Sequence, residues 1–198
     1  FHSPQVALTL VQNSEEKLVS EGAVTAFMAL MGLGPSLVAP VCVQGLFNLT
    51  CGEWHACDKV IKSLVNLPFT DKIDPRPVIC NAMLNCALIF RLRPRLIEEG
   101  CIQIMETFVT RMTHSTSSLV VCSKVLYQLS CSRTCRSDMV VKGAVKCIKL
   151  LSSIVNEEIH YYCACALSKL SLDSSSRHRM IDEGRSAPHH HHQQQQHT

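Results

Sequence analysis

Apolar and polar positions follow a pattern that returns about every 40 residues along the chain. One recurring block consists of an apolar pair, two variable residues and a glycine. It begins at Leu18, Leu96, Met139 and Met180, and a weaker copy that has lost its glycine begins at Val60. In chain order, the starting positions are separated by 42, 36, 43 and 41 residues. Repeats of about 40 residues that hold two or three helices are typical of helical solenoids.

A second block has the same period. Its first position holds a small residue, its second Leu or Met, its third a variable residue, its fourth a polar residue and its fifth a mainly aliphatic one. Copies lie at 45–49, 82–86, 125–129 and 166–170, with a fifth at 7–11. On a helix, its second and fifth positions lie on one face, which predicts an apolar face. The small first position predicts the close approach of a neighbouring helix. These copies predict long helices near residues 36–50, 76–91, 116–131 and 157–171.

The fourth position of the second block is polar in every complete copy, although the helix around it is apolar. The residues at this position are Asn48, Asn85, Gln128 and Lys169. One helical turn earlier, on the same face, lie Gln44, Asn81, Lys124 and Cys165. Such a column is either a solvated helix face or a surface for a partner.

Glycine, proline and arginine recur at positions that predict how the helices connect. Four glycines follow a short amphipathic helix and predict a sharp turn with positive φ: Gly22, Gly100, Gly143 and Gly184. Four prolines stand near the expected starts of the long helices, where proline is tolerated: Pro35, Pro40, Pro75 and Pro77. An arginine lies seven residues before three of the glycines, and we expect it to tie the short helix to carbonyl groups of its neighbour: Arg93, Arg136 and Arg177.

Together these blocks resemble the armadillo-repeat family. Its unit has a short helix, a glycine bend, a second helix and a long third helix with an Ala-Leu-x-Asn-Leu-like core. The resemblance covers about residues 5–184 and is strongest from Arg136 to Gly184 and weakest around residues 53–75. It implies an all-α fold, a right-handed superhelical α-solenoid of three-helix repeats. A HEAT-type solenoid with two helices per unit is the alternative, but the bend glycines and the recurring arginines favour the armadillo type.

The predicted organisation is one repeat domain over residues 1–186, followed by a low-complexity tail rich in His and Gln over residues 187–198, which we expect to be disordered. The domain divides into a partial repeat over residues 1–22 and complete repeats over about 22–63, 64–99, 100–142 and 143–183. Terminal repeats of a solenoid normally present a polar surface. Neither end of this sequence does, so we expect the parent protein to contain further repeats.

Composition restricts the classes of function. Hydrophobic residues make up 46% of the chain and charged residues 18%, which is typical of a folded protein. The net charge of +3 comes from dispersed basic residues, so a nucleic-acid partner is not favoured. The stretch from Gly22 to Gly52 lacks charge and is long enough to span a bilayer. However, Gly32, Gly34 and Pro40 interrupt it, so we expect two short helices and no membrane insertion.

The twelve cysteines do not form a C-x-x-C pair, and most lie in apolar runs, where cysteine behaves as a small hydrophobe. We therefore expect no metal, no cofactor and reduced thiols in a cytoplasmic compartment, with a nuclear location also possible. Neither a P-loop nor a G-x-S-x-G or H-E-x-x-H motif is present. The pairs Cys57–His55 and Cys163–His160 lack a flanking glycine turn for an oxyanion hole. We expect no catalysis and no small-molecule substrate.

The resemblance implies that stacked third helices form a concave groove that binds an extended peptide. Helices are about 10 Å wide and an extended chain advances about 3.3 Å per residue, so each repeat would contact about three ligand residues. Side-chain amides in the polar column can donate to a peptide carbonyl and accept from its amide. The predicted partner-binding residues are Gln44, Asn48, Asn81, Asn85, Lys124, Gln128 and Lys169.

The charge of the column favours a neutral-to-acidic peptide, as in the catenin branch, because Lys124 and Lys169 would repel a basic one. In the nuclear-import adaptors of this family, a tryptophan stands one turn before the asparagine. Here the only tryptophan, Trp54, lies elsewhere in the repeat, so cargo binding of the import-adaptor kind is an alternative that the residues disfavour. An RNA-binding α-solenoid is a further alternative, and it would bind with a steep salt dependence.

Overall fold

The computed structural model of the chain describes residues 14–32, 38–51, 54–65, 76–111 and 116–185. Within these ranges the chain forms helices and turns but no strand. The first copy of the second block (residues 7–11), two of the prolines (Pro35 and Pro75) and the tail over residues 187–198 lie outside the described residues.

Twelve α-helices and two short 3-10 helices account for most of the described ranges. The 3-10 helices are Phe90–Leu92 and Arg133–Cys135. The α-helices are α1 Ser14–Ser20, α2 Ala23–Gly32, α3 Val38–Leu49, α4 Trp54–Val65, α5 Arg76–Leu88, α6 Arg93–Glu98, α7 Cys101–Arg111, α8 Thr116–Ser130, α9 Arg136–Val141, α10 Ala144–Ser152, α11 Glu157–Leu170 and α12 Ser174–Arg185.

The helices form three-helix units of a short, a second and a long third helix, as in α6–α7–α8 and α9–α10–α11. The third helices α3, α5, α8 and α11 pack side by side in chain order, and the second helices α7 and α10 pack on each other in a separate layer. All four predicted long helices are confirmed to within a few residues. The chain is an all-α solenoid.

One unit departs from this plan because its sequence lacks the bend glycine. The continuous helix α4 runs through residue 64, the position at which the other units have the bend glycine, and α5 is the third helix of this unit. Residues 66–75, between α4 and α5, lie outside the described residues. Without a residue that readily adopts positive φ, the chain continues as one helix. Two of the predicted helix-start prolines are confirmed, since Pro40 lies in the first turn of α3 and Pro77 is the second residue of α5.

The bend glycines join the short helices to the second helices. Gly22, Gly100 and Gly143 have φ values of 93°, 93° and 92°, in the left-handed region, which confirms three of the four predictions. The fourth prediction is wrong, because Gly184 lies within the continuous helix α12. Glycine permits a left-handed turn without imposing it. At the other three positions an apolar second helix follows directly and packs on the core.

The apolar positions of the second block form the core between the layers. The residues at its second position include Leu46, Met83 and Leu126, and all three are buried, which confirms the predicted apolar face. The close approach expected at the first position occurs at Gly45 on α3, where a Cβ atom would overlap the ring of Phe27 on α2. Nine of the twelve cysteines are buried, so most of them pack as small apolar side chains.

The uncharged stretch that the sequence raised as a possible membrane span divides into α2 and α3. Among the described residues, no helix combines the length and the apolar character needed to cross a bilayer.

Two of the recurring arginines tie neighbouring units together, as predicted. Arg93 Nε donates to the carbonyl oxygen of Ala87 at 2.8 Å, and Arg136 Nε donates to that of Ser130 at 3.0 Å. These carbonyls belong to the last turns of α5 and α8, where helix carbonyls lack partners within the helix and a positive charge is favourable.

The prediction for Arg177 is wrong, because this side chain is exposed in the second turn of α12. Relative to this arginine, α12 begins earlier than α6 and α9 do. The reason is that the Asp173 carboxylate accepts the backbone N–H of Ser176 at 3.0 Å and thereby caps α12. The hydroxyl of Ser175 donates to the same carboxylate oxygen at 2.5 Å. These hydrogen bonds hold the pKa of Asp173 below its usual value.

Replacing Gly143 with Ala should lower the free energy of unfolding by about 1–2 kcal/mol, because a residue with a Cβ atom resists the left-handed conformation. A clash contributes nothing, since the nearest atom to the added Cβ is Glu106 Oε2 at 3.9 Å. Gly143→Asn should lose less, because Asn adopts this conformation more readily. Urea unfolding followed by circular dichroism measures both variants. Equal losses for Ala and Asn would contradict the backbone explanation.

Candidate binding face of the third helices

The predicted site residues lie on one face of the stacked helices α3, α5, α8 and α11, here called the third-helix face. Each of the four helices contributes one residue from the polar column and one from the turn before it. Gln44, Asn48 and Asn81 are exposed, and Asn85, Lys124, Gln128, Cys165 and Lys169 are half-buried. Since these helices pack in sequence order, the structure brings all seven predicted residues onto a continuous surface.

The amide of Asn85 connects α5 to the end of α3. The hydroxyl of Thr50 donates to the carbonyl of Phe47 at 2.6 Å, so its oxygen accepts from Asn85 Nδ2 at 3.2 Å. The same Nδ2 group donates to Cys51 Sγ at 3.6 Å. Both amide hydrogens are therefore engaged by acceptors of the protein, and Asn85 presents its Oδ1 atom as an acceptor.

The amide of Gln128 has the opposite orientation. Its Oε1 atom accepts from Arg93 Nη2 at 3.3 Å, and because a guanidinium only donates, the oxygen must be the atom that faces it. The ring of Phe90 covers the same guanidinium, with the Arg93 Cζ atom 5.5 Å from the ring centroid. Gln128 therefore presents its Nε2 group as a donor.

Among the residues that the structure describes, the remaining amides of the third-helix face bond only within their own helix. Gln44 Nε2 donates to Asn48 Oδ1 at 3.0 Å, and Asn81 Nδ2 donates to the carbonyl of Pro77 at 2.9 Å. All three amides are exposed. A ligand could replace these bonds without separating one repeat from the next.

Lys124 is paired across the boundary between two repeats. Its Nζ atom lies 2.8 Å from Glu158 Oε1 on α11 and 5.5 Å from the ring centroid of Tyr162. The hydrogen bond to Glu158 raises the pKa of Lys124, which keeps the ammonium group protonated. The other predicted cation, Lys169, has no ion-pair partner among the described residues.

Three tyrosines lie beside this ion pair. The rings of Tyr127 and Tyr162 are 5.7 Å apart, and those of Tyr161 and Tyr162 are 5.2 Å apart in an edge-to-face arrangement. Tyr161 is 63% exposed and so offers an aromatic surface to a ligand. Hydrogen bonds raise two of the pKa values, that of Tyr127 through Cys131 and that of Tyr161 through Cys165, so both phenols are neutral near pH 7.

The sequence interpretation missed Glu158 and the tyrosines, although a signal for them exists. Glu158, Tyr162, Cys165 and Lys169 are spaced i, i+4, i+7 and i+11, which places them on one face of α11. This spacing could have identified Glu158 as a member of the face. Its pairing with Lys124 on a different helix could not have been read from the spacing.

The thiols of both cysteine–histidine pairs are buried. Cys163 is buried, and burial raises the pKa of its thiol to about 11, whereas His160 is exposed. Cys57 is also buried, and the side chain of His55 lies outside the described part of the chain. No group of three or more His, Cys, Asp or Glu side chains that could hold a metal ion occurs among the described residues.

Comparison with solved structures finds the same architecture in engineered proteins. Two engineered proteins determined by the Northeast Structural Genomics Consortium superpose on 87% of this chain, with TM-scores of 0.69 and 0.68 and 16% identity each. This chain spans 44% of the length of the first and 72% of the second. A designed armadillo repeat protein in complex with the peptide (KR)4 matches 87% of this chain and 75% of its own length, with a TM-score of 0.66 and 14% identity.

The chain has an armadillo-like repeat fold. This confirms the predicted resemblance at the level of the fold. No family model matches the sequence, and neither does any curated protein at a significant level.

Replacing Gln128 with Met should lower the free energy of unfolding by about 1 kcal/mol, the usual net value of a hydrogen bond. Met has no acceptor of comparable strength for the buried Arg93 guanidinium. Gln128→Glu retains an acceptor oxygen at the same distance along the side chain, so it should be at least as stable as the wild type. Guanidinium unfolding of both variants tests this. If the Glu variant loses as much stability as the Met variant, Gln128 does not act through Arg93.

Proposed function

We propose that this chain is a protein-interaction scaffold that binds an extended peptide along its third-helix face. The observation that carries the proposal is the fixed orientation of the amides of Asn85 and Gln128 on neighbouring third helices. A solenoid with an armadillo-like fold uses the surface of its stacked helices for extended partners.

The fixed amides match the backbone of a peptide. Asn85 presents an acceptor and Gln128 a donor, while a peptide backbone supplies N–H and carbonyl groups along its length. Because internal bonds already hold both side chains, little rotamer entropy is lost when a ligand binds. Backbone recognition of this kind selects an extended segment without selecting its side chains.

A solved neighbour supports a peptide as the ligand. The designed armadillo repeat protein described above was determined in complex with the peptide (KR)4. On this chain, however, Lys124 and Lys169 lie on the third-helix face, and Lys124 is held in its charged state. We therefore infer a neutral-to-acidic peptide segment for this protein.

Selection from a display library of random 12-residue peptides would test the proposal, followed by affinity measurements on the selected peptides. Asn48→Ala should weaken binding about fivefold, the equivalent of one hydrogen bond. The only side-chain hydrogen bond of Asn48 among the described residues joins it to the exposed Gln44, so folding should be unaffected. Gln103→Ala on α7 is the matched control, because it removes an exposed amide away from the third helices.

The control should bind as the wild type does. Failure to select any peptide, or an equal loss of affinity in the Asn48 and Gln103 variants, would contradict binding at the third-helix face.

A further inference from the structure

The ion pair between Lys124 and Glu158 lies within the proposed binding face. It joins two adjacent third helices, α8 and α11, and its side chains are 31% and 51% exposed. Partly exposed pairs of this kind contribute little to stability, because water screens them and both side chains lose rotamer freedom. A ligand can therefore break this pair with little effect on the fold.

The two partners are not held equally. Lys124 has a second contact, since its ammonium group lies against the ring of Tyr162. Glu158 has no second partner among the described residues. It is the second residue of α11, where the amino end of the helix favours a carboxylate even after the side chain has turned into solvent. If the pair opens, Lys124 therefore keeps a contact within the protein, whereas Glu158 has none to keep in the described part of the chain.

A carboxylate from a ligand can then take the position of Glu158. Lys169, on the next third helix, supplies another cation, about one repeat or three extended ligand residues further along the face. Exposed Tyr161 lies next to Tyr162 and can cover the apolar part of the incoming side chain. The charges of this part of the face thus fit a peptide with acidic residues about three positions apart.

We propose that Glu158 is an internal competitor for Lys124, which an acidic side chain of the bound peptide displaces. This inference rests on the proposed peptide-binding function. Glu158 sets a threshold for binding, because a peptide without a well-placed carboxylate leaves the internal pair closed. The residue is thereby a determinant of specificity that contributes no contact of its own to the complex.

Fluorescence polarisation with the labelled peptide (Glu-Ala-Ser)4, which places a carboxylate at every third residue, tests the competition. Glu158→Gln should bind this peptide about two- to fivefold more tightly than the wild type, as expected from the strength of an exposed ion pair. Glu157→Gln is the matched control, since it removes the same charge from the adjacent exposed position. It should change the affinity much less, and added salt should reduce the gain of the Glu158 variant.

Two further arms separate competition from a general change in charge. The neutral peptide (Gln-Ala-Ser)4 should bind the wild type and Glu158→Gln equally. In the background Lys124→Met, which weakens binding of the acidic peptide, Glu158→Gln should give no gain, because the two substitutions act on one interaction.

Equal gains in the Glu157 and Glu158 variants, or a gain that persists without Lys124, would overturn the competition and leave the peptide-binding function standing. If neither the acidic nor the neutral peptide binds any of the variants, and library selection is also unsuccessful, the proposed function itself fails.

Discussion

Each third helix of this chain buries its apolar side by packing against the third helices beside it and against the other helices of its own unit. A single repeat is too small to enclose a core, so the hydrophobic term that stabilises the fold arises between repeats as much as within them. Leu46, Met83 and Leu126 occupy equivalent positions and are all buried for this reason. The packing also fixes which side of each helix remains for polar residues, and it thereby creates the third-helix face.

The same constraint explains the polar bonds between repeats. Where one third helix ends, its last carbonyl groups need partners, and the arginines at the start of the following short helices supply them, as Arg93 and Arg136 do. Arg93 also reaches Gln128 on the next third helix. One guanidinium thus links the end of α5 to α8. Gln128, which the sequence predicted to bind a ligand, therefore also has a structural role.

The hydrogen bonds between repeats restrict what the amides of the third-helix face can offer to a ligand. An amide that is already hydrogen-bonded inside the protein offers a ligand only its remaining donor or acceptor, in a fixed direction. Asn85 and Gln128 are restricted in this way, whereas Asn48 and Asn81 are not bonded across repeats. The ion pair of Lys124 follows the same principle, since a charge that the sequence places on the surface is already engaged by a neighbouring repeat. Under the proposed function, recognition by this face would therefore involve an exchange of partners as well as new contacts.

The sequence by itself determined the class of fold, the bounds of the third helices and the turns at Gly22, Gly100 and Gly143. These features depend on local spacing, because the period of apolar residues decides which side of a helix is buried and glycine permits positive φ. The same reasoning failed at Gly184 and Arg177, because α12 is capped by Asp173, begins before Arg177 and continues through Gly184.

Only the tertiary structure decided which polar groups meet. Asn85 pairs with Thr50 and Gln128 with Arg93 across 35 residues of sequence, and Lys124 pairs with Glu158 at a similar separation. Each of these partners is one of several polar residues at nearly equivalent positions in the adjacent repeat. The choice among them depends on the stagger between packed helices and on side-chain rotamers, which no periodicity along the chain encodes.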